Sequence, residues 1–200
     1  TPFTTNTNTA TQALPTGEGV MFAARCTADA MTAAIDKLGV QAKASVASVN
    51  GPKSVVVSGA EAEVVAVLGE LGEKGQRLSV SHAFHSPLMV PMAEEYRAVV
   101  ASLSKSGALS CSPPQVPVVS TVTGNIASAN ELADPEHWVR QVWSPVLFSD
   151  ALETALGLWS RKEFNPCVVL EVGPNPVLSR MAQPAGEARC SRRACTRRRA

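Results

Sequence analysis

The spacing of apolar residues between residues 17 and 81 predicts strands and helices in alternation. Four short segments have the apolar spacing of strands and cover residues 20–24, 44–49, 54–58 and 76–81, the last with Leu78 and Val80 on one face. Two stretches between these segments repeat apolar residues every three or four positions, as amphipathic helices do. The resulting order, strand-helix-strand-strand-helix-strand, is that of a ferredoxin-like split βαβ unit.

Capping and turn residues support these boundaries. Thr27 is a favourable N-cap for the first helix, and Gly39 is a favourable residue to end it. Ser58 is followed three residues later by Glu61, which is the spacing of a capping box and predicts the start of the second helix, closed by Gly75. The turn residues Asn50-Gly51-Pro52-Lys53 predict a hairpin between the second and third strands.

After residue 81 the pattern predicts longer helices separated by single strands. Predicted helices begin at Ser86-Pro87, at Asp134-Pro135 and at Ser149, and a short one lies near residues 177–181. Predicted strands cover residues 116–120 and 167–172, and the second is apolar almost throughout, as in a buried parallel sheet. Strands alternating with helices indicate an α/β layer, but two strands are too few for a whole domain of this kind.

Composition and charge restrict the class of protein. The chain of 200 residues is 45% hydrophobic, which is ordinary for a globular protein. Residues 184–200 hold six of the 18 basic and one of the 17 acidic residues, which leaves 12 basic and 16 acidic residues elsewhere, a formal charge of −4. This charge argues against nucleic-acid binding by the body of the chain. We expect disorder in the basic tail, 184–200, and in the Thr- and Asn-rich leader, 1–16.

The cysteines and the apolar runs indicate the cellular compartment of the protein. The five cysteines form no C-x-x-C pair and have no metal-ligand spacing with histidine, which predicts a reducing compartment and no metal site. No apolar run is long enough to span a membrane, and the first residues do not resemble a signal peptide. These features predict a cytoplasmic protein.

The candidate chemistry lies in residues 82–89, His-Ala-Phe-His-Ser-Pro-Leu-Met, where a predicted strand ends and a predicted helix begins. His85 would precede the helix N-terminus, whose positive dipole end disfavours imidazolium and therefore favours the neutral form of a general base. A structural role is the alternative for any histidine at such a turn. We interpret His82 as structural and His137 as an exposed helix residue.

Several motifs in order carry a family resemblance. They are residues 82–89, Ser48-Val49-Asn50-Gly51-Pro52, Trp138-Val139-Arg140-Gln141 and Leu170-Glu171-Val172-Gly173-Pro174. With them, the chain from about Gln12 to Ala182 resembles the acyltransferase domain of modular polyketide synthases, related to malonyl-CoA:acyl-carrier-protein transacylases. The resemblance implies an α/β-hydrolase-like large subdomain with an inserted ferredoxin-like small subdomain. The predicted parts are then the leader, a small subdomain at 17–81, the C-terminal part of a large subdomain at 82–183, and the tail.

The resemblance also implies the chemistry. A serine would attack malonyl-CoA, and an acyl carrier protein would then take the malonyl group on its phosphopantetheine thiol, with no cofactor bound to the chain. His85 would be the general base and acid, and the backbone carbonyl of Gln141 would hold its other ring nitrogen. Phe84 would narrow the acyl pocket in favour of malonyl, with core packing as its alternative role, and Asn50 would line the site, with a turn residue as its alternative role. Malonyl-CoA, the carrier protein and neighbouring synthase domains are the expected partners.

The sequence departs from the family at the nucleophile. The family carries its serine in Gly-His-Ser-x-Gly, and no G-x-S-x-G occurs in these 200 residues. We therefore expect that the chain alone cannot form an acyl-enzyme. Three interpretations stay open: the base-bearing part of an acyltransferase, a non-catalytic module that binds carrier protein or scaffolds a synthase, and an unrelated ferredoxin-like domain with a basic tail that contacts nucleic acid.

Overall fold

The computed structural model describes residues 19–107, 114–160, 169–173 and 175–182. The N-terminal elements are β1 (Gly19–Ala24), α1 (Ala28–Leu38), β2 (Ala44–Gly51), β3 (Ser54–Ala60), α2 (Glu61–Glu70) and β4 (Gln76–Arg77). The strands form one antiparallel sheet in the order β2-β3-β1-β4. This order confirms the predicted strand-helix-strand-strand-helix-strand unit. The hairpin from β2 to β3 also forms where it was predicted.

The following elements are mostly helical. They are a 3-10 turn (Pro87–Met89), α3 (Val90–Lys105), α4 (Ala129–Ala133), α5 (Pro135–Trp143), α6 (Phe148–Ser160) and α7 (Leu178–Met181). Two of the predicted caps are present: the Asp134 carboxylate accepts from the amide of Glu136, and the Thr27 hydroxyl accepts from the amide of Ala30. Within the described residues, no helix is both long and apolar enough to cross a lipid bilayer.

Both faces of the sheet are covered. Helices α1 and α2 pack on one face, where Met31, Val57, Val64 and Val67 are fully buried. A smaller cluster of Met21, Ala47 and Val56 covers the opposite face. Burial of each Val or Met side chain in these two clusters contributes about 1.5–3 kcal/mol, so the two-sided core stabilises this short sheet.

Helices α3 and α5 form a separate core. Its buried residues are Met89, Met92, Ala93, Tyr96, Val100 and Val139. Phe84 is half-buried and packs both against this core and against the cluster of Met21, Ala47 and Val56 on the sheet. The loop that carries Phe84 and His85 is therefore fixed between the sheet and the helical part.

The predicted capping box at Ser58 is wrong. Ser58 lies inside β3 with a fully buried hydroxyl, and the N-cap of α2 is Ala60, which makes no side-chain cap hydrogen bond. The physical reason is sheet pairing: β3 stays paired with β1 as far as Ala60, opposite Gly19. The helix therefore starts later than the local sequence suggests, and it ends at Glu70, before Gly75.

The two strands predicted after residue 81 do not form in the described residues. Of residues 116–120, Val119 makes a single isolated bridge to Ile126. Residues 169–172 are irregular, with Leu170 and Val172 exposed, while residues 167 and 168 lie outside the described part. A buried strand needs neighbours on both sides, and the sheet of the described chain offers this segment none. The predicted leader, 1–16, and tail, 184–200, also lie outside the described residues.

Candidate active site

His85 has an uncommon backbone conformation. Its φ is 55°, the left-handed region, and it is the only non-glycine residue of the described chain with a positive φ. This region is sterically unfavourable for residues with a Cβ, so neighbouring contacts must hold it there. One of those contacts is local: Ser86 caps the following 3-10 turn, accepting from the amide of Leu88 and donating to the carbonyl of Ala83.

The imidazole of His85 is oriented by one hydrogen bond. Its Nδ1 lies 2.9 Å from the backbone carbonyl oxygen of Ser144. A carbonyl can only accept, so Nδ1 carries the proton and Nε2 presents a lone pair. Burial lowers the pKa of His85 below its ordinary value, and the bond to Ser144 opposes that effect in part. The ring is therefore a neutral base at pH 7.

The predicted partner of this ring, the carbonyl of Gln141, is wrong. The acceptor is Ser144, which caps the C-terminus of α5 with extended dihedral angles, φ −71° and ψ 152°. Gln141 lies within α5, where carbonyl groups point along the helix axis, whereas the extended residue after the helix turns its carbonyl away from that axis. Its side chain is exposed.

The segment after α5 is docked on the free edge of β2. The amide of Val146 donates to the carbonyl of Ala47, and the amide of Val49 donates to the carbonyl of Val146, both at 2.9 Å. Ser144 is two residues from this pairing, so the sheet fixes the position of the carbonyl that orients His85. Sequence periodicity gives no sign of a contact between residues this far apart in the chain.

Phe84 sits between the two cores and makes an edge-on ring contact with His82, with centroids 5.9 Å apart. Core packing was the alternative to a role in substrate selection, and these contacts agree with it. His82 is buried, with Nδ1 2.9 Å from the hydroxyl of Ser81.

Asn50 lies at the opposite end of β2 from the contact with His85. The carbonyl of His85 meets the strand at Ser45, and five residues of extended chain correspond to about 16 Å. The Asn50 carboxamide accepts a hydrogen bond from Ser48. Asn50 also lines a cavity of about 470 Å³ between the hairpin, α6 and Met181.

His137 is not exposed, contrary to the sequence interpretation. Its side chain is buried, and Nδ1 lies 3.2 Å from a carboxylate oxygen of Glu131 in a geometry outside that of a hydrogen bond. The short helix α4 packs beside α5 and covers it. In the part of the chain that the structure describes, no three His, Cys, Asp or Glu side chains are grouped to hold a metal ion.

Comparison with known proteins shows which domain family the chain is similar to. The sequence model of the acyl transferase domain matches residues 11–196, which extends past Ala182 into the Arg-rich segment. Polyketide synthase GfsA of Streptomyces halstedii is 41% identical over 175 residues, 86% of this chain and 2% of that protein. The chain thus spans a small part of the length of such relatives.

Solved structures show the same similarity. The acyltransferase domain from the second module of the salinomycin polyketide synthase superposes with a TM-score of 0.79 at 37% identity, covering 93% of this chain and 41% of that one. The acyltransferase domain of SpnD, solved in complex with 2-(pent-4-yn-1-yl)malonyl, has a TM-score of 0.69 at 26% identity, covering 86% of this chain and 40% of that one.

Proposed function

Because the chain belongs to the acyl transferase domain family, with relatives among the modular polyketide synthases, we propose that it supplies the general base of an acyltransferase. The acyl group would pass from coenzyme A to the phosphopantetheine thiol of an acyl carrier protein. The observation that carries this proposal is the hydrogen bond from His85 Nδ1 to the carbonyl of Ser144, because it leaves Nε2 free to take a proton.

His85 acts twice in the proposed reaction. Nε2 takes the proton of a serine hydroxyl as its oxygen attacks the thioester carbonyl, and returns that proton to the sulfur of coenzyme A as the C–S bond breaks. In the second half, Nε2 takes the proton of the phosphopantetheine thiol as its sulfur attacks the acyl-serine ester, and it returns that proton to the serine oxygen as the C–O bond of the ester breaks. The carbonyl of Ser144 stabilises the imidazolium formed in each half, as the aspartate does in a Ser-His-Asp triad.

We propose malonyl as the acyl group. The SpnD domain was solved with a 2-substituted malonyl group bound, and the similarity to it covers 86% of this chain, which supports an acyl group of the malonyl type. Phe84 would restrict the acyl pocket by its bulk. Its contacts with the two cores hold the ring in place and agree equally with core packing. A methyl group in a pocket of this kind changes selectivity by about 10–200-fold.

The serine nucleophile would come from a segment outside these residues, because the sequence has no G-x-S-x-G. Cys26 is a poor substitute. Burial raises the pKa of its thiol, and the charge of Glu73 raises it further, which reduces the thiolate fraction at neutral pH. Because the motif is absent, we expect that the 200-residue chain by itself forms no acyl-enzyme.

Intact mass spectrometry tests whether the chain alone forms an acyl-enzyme and whether a serine-bearing segment supplies the missing nucleophile. The chain is incubated with malonyl-CoA alone, and in parallel as a fusion behind the upstream part of a homologous acyltransferase domain that carries Gly-His-Ser-x-Gly. We expect no malonyl adduct on the chain and a hydroxylamine-labile adduct on the fusion. A stable malonyl adduct on the chain alone would overturn the assignment of the nucleophile to another segment.

A non-catalytic module that binds carrier protein is the second candidate, favoured by the missing nucleophile motif. It predicts that a fusion able to bind carrier protein still transfers no malonyl group. The family match gives no support to the nucleic-acid-binding interpretation.

A further inference from the structure

We propose that Ser45, on β2, is a positioning residue that holds His85 in the left-handed conformation in which its ring reaches Ser144. The catalytic meaning of this contact rests on the proposed function, but the contact itself does not. Ser45 does not touch the reacting atoms. Its hydroxyl donates a hydrogen bond to the backbone carbonyl of His85 at 3.0 Å, across 40 positions of sequence.

The backbone of His85 needs such a restraint. A positive φ at a residue with a Cβ is held only where surrounding contacts over-determine it. The carbonyl of His85 and its ring nitrogen are fixed at two different places, by Ser45 and by Ser144 respectively. Together the two bonds define the direction of the ring.

Both anchors depend on the same strand. Ser45 projects from β2, while Ala47 and Val49 of β2 bind the backbone of Val146, two residues after Ser144. The distance between the two anchors of His85 is therefore set by the spacing of residues along one strand. Without the Ser45 hydroxyl, the carbonyl of His85 loses a partly buried partner, and the loop is free to relax toward negative φ.

The chain offers a matched control. Ser58 faces Ser45 across the β2–β3 pair, on the same side of the sheet, and its buried hydroxyl has no hydrogen-bond partner among the described residues. Ser58→Ala removes the same atom from the adjacent position without affecting any bond to His85. Ser45→Thr keeps the hydroxyl on a residue that is favourable in a strand.

The test is ¹⁵N NMR of the imidazole rings of the full 200-residue chain, with Ser45→Ala, Ser45→Thr and Ser58→Ala. In wild type we expect the Nδ1–H form of His85 to predominate, with a titration midpoint below the ordinary value. Ser45→Ala should change the Nδ1–H to Nε2–H ratio by about threefold or more and move the midpoint up toward about 6.5, as the ring gains solvent. Ser45→Thr and Ser58→Ala should resemble wild type.

Unchanged tautomer ratio and midpoint in folded Ser45→Ala would overturn the proposal, as would an equal change in Ser58→Ala. If Ser45→Ala does not fold, Ser45→Cys, with the same shape and a weaker donor, takes its place under the same criteria.

A second experiment, on the kinetics of the fusion, distinguishes a failure of the Ser45 proposal from a failure of the proposed function. In the fusion with a serine-bearing segment, Ser45→Ala should lower kcat/KM for malonyl transfer about 10–100-fold, since small misplacements of a base are costly, and Ser45→Thr should restore it. An inactive wild-type fusion counts against the proposed function and leaves the NMR result to decide the positioning role. An active fusion that Ser45→Ala does not slow overturns the positioning role in catalysis.

Discussion

At His85, burial and hydrogen bonding act in opposite directions on one ring. Burial lowers the pKa of the imidazole, and the Ser144 carbonyl raises it by a smaller amount, so the net pKa lies below the ordinary value. Protonation therefore favours the unfolded chain, in which His85 has an ordinary pKa of about 6.5. The contribution of neutral His85 to stability is complete above that pH and is lost as the pH falls through the folded pKa.

This linkage gives a pH-dependent prediction. The free energy of unfolding should fall as the pH is lowered from about 7.5 to about 5.5, and His85→Gln should make that fall smaller. Urea denaturation at a series of pH values measures both curves. Parallel curves for the two proteins would show that folding does not lower the pKa of His85.

Phe84 allows a test of its structural role. Phe84→Ala should destabilise the chain by up to about 3 kcal/mol, the lower end for such changes because the ring is only half-buried. Phe84→Leu, which keeps much of the apolar volume, should cost less than half as much. Urea denaturation of the isolated chain provides the measurement. A loss below about 0.5 kcal/mol for Phe84→Ala would mean that the ring does not join the two cores.

Residue-level prediction from the sequence succeeded where the signal is local. Ser86 and Pro87 placed His85 before a helical turn, and the turn is there. The partner of the ring was not predictable in this way, because it depends on where the chain leaves α5 and on the pairing of Val146 with β2. The left-handed backbone of His85 likewise depends on long-range contacts and was not predicted from the sequence.

For helices and strands, too, prediction from the sequence succeeded where the signal is local and failed where the structure depends on long-range pairing. The caps at Thr27 and Asp134 were predicted from three or four residues and are present. The capping box at Ser58 failed because strand pairing extends β3, and the apolar run at 169–172 failed because no neighbouring strand is available to it. Local sequence patterns therefore predicted the helices well, whereas the formation of strands depended on partner strands elsewhere in the chain.

The segment around Glu171 has a different role from the predicted strand. Its carboxylate accepts hydrogen bonds from the amides of Val177, Leu178 and Ser179 at the start of α7. Hydrogen bonds from the amide and hydroxyl of Ser179, followed by those from the other amides, lower the pKa of Glu171 to about 2. The carboxylate thus keeps this turn together over the usual pH range.

An NMR titration of these amides tests the cap. Because the folded pKa is depressed, the stabilisation is present above the ordinary pKa of about 4.3 and is lost only as the pH falls through about 2. The amide shift of Ser179 should therefore show no carboxylate titration between about pH 6 and about pH 3, and Glu171→Gln should move it upfield at all pH values. A titration midpoint near 4.3 in wild type would contradict the cap.

For the whole molecule, the three most exposed large apolar side chains of the described residues follow a pattern. Val116, Leu170 and Val172 are 69%, 68% and 92% exposed, and all three lie in segments where the sequence predicted strands. The chain corresponds to 41% of the salinomycin acyltransferase structure. We expect a serine-bearing segment to supply the strands that these residues would pack against, which is the arrangement that the fusion reproduces.

The rate of malonyl transfer to an acyl carrier protein by that fusion, with His85 intact or changed to Gln, tests the central claim most directly. If His85 is the general base, His85→Gln should lower kcat/KM by about 10²–10⁴-fold while the protein stays folded. A fusion whose transfer rate His85→Gln leaves within about fivefold of the original would contradict the claim, since a base that contributes so little does not activate the nucleophile.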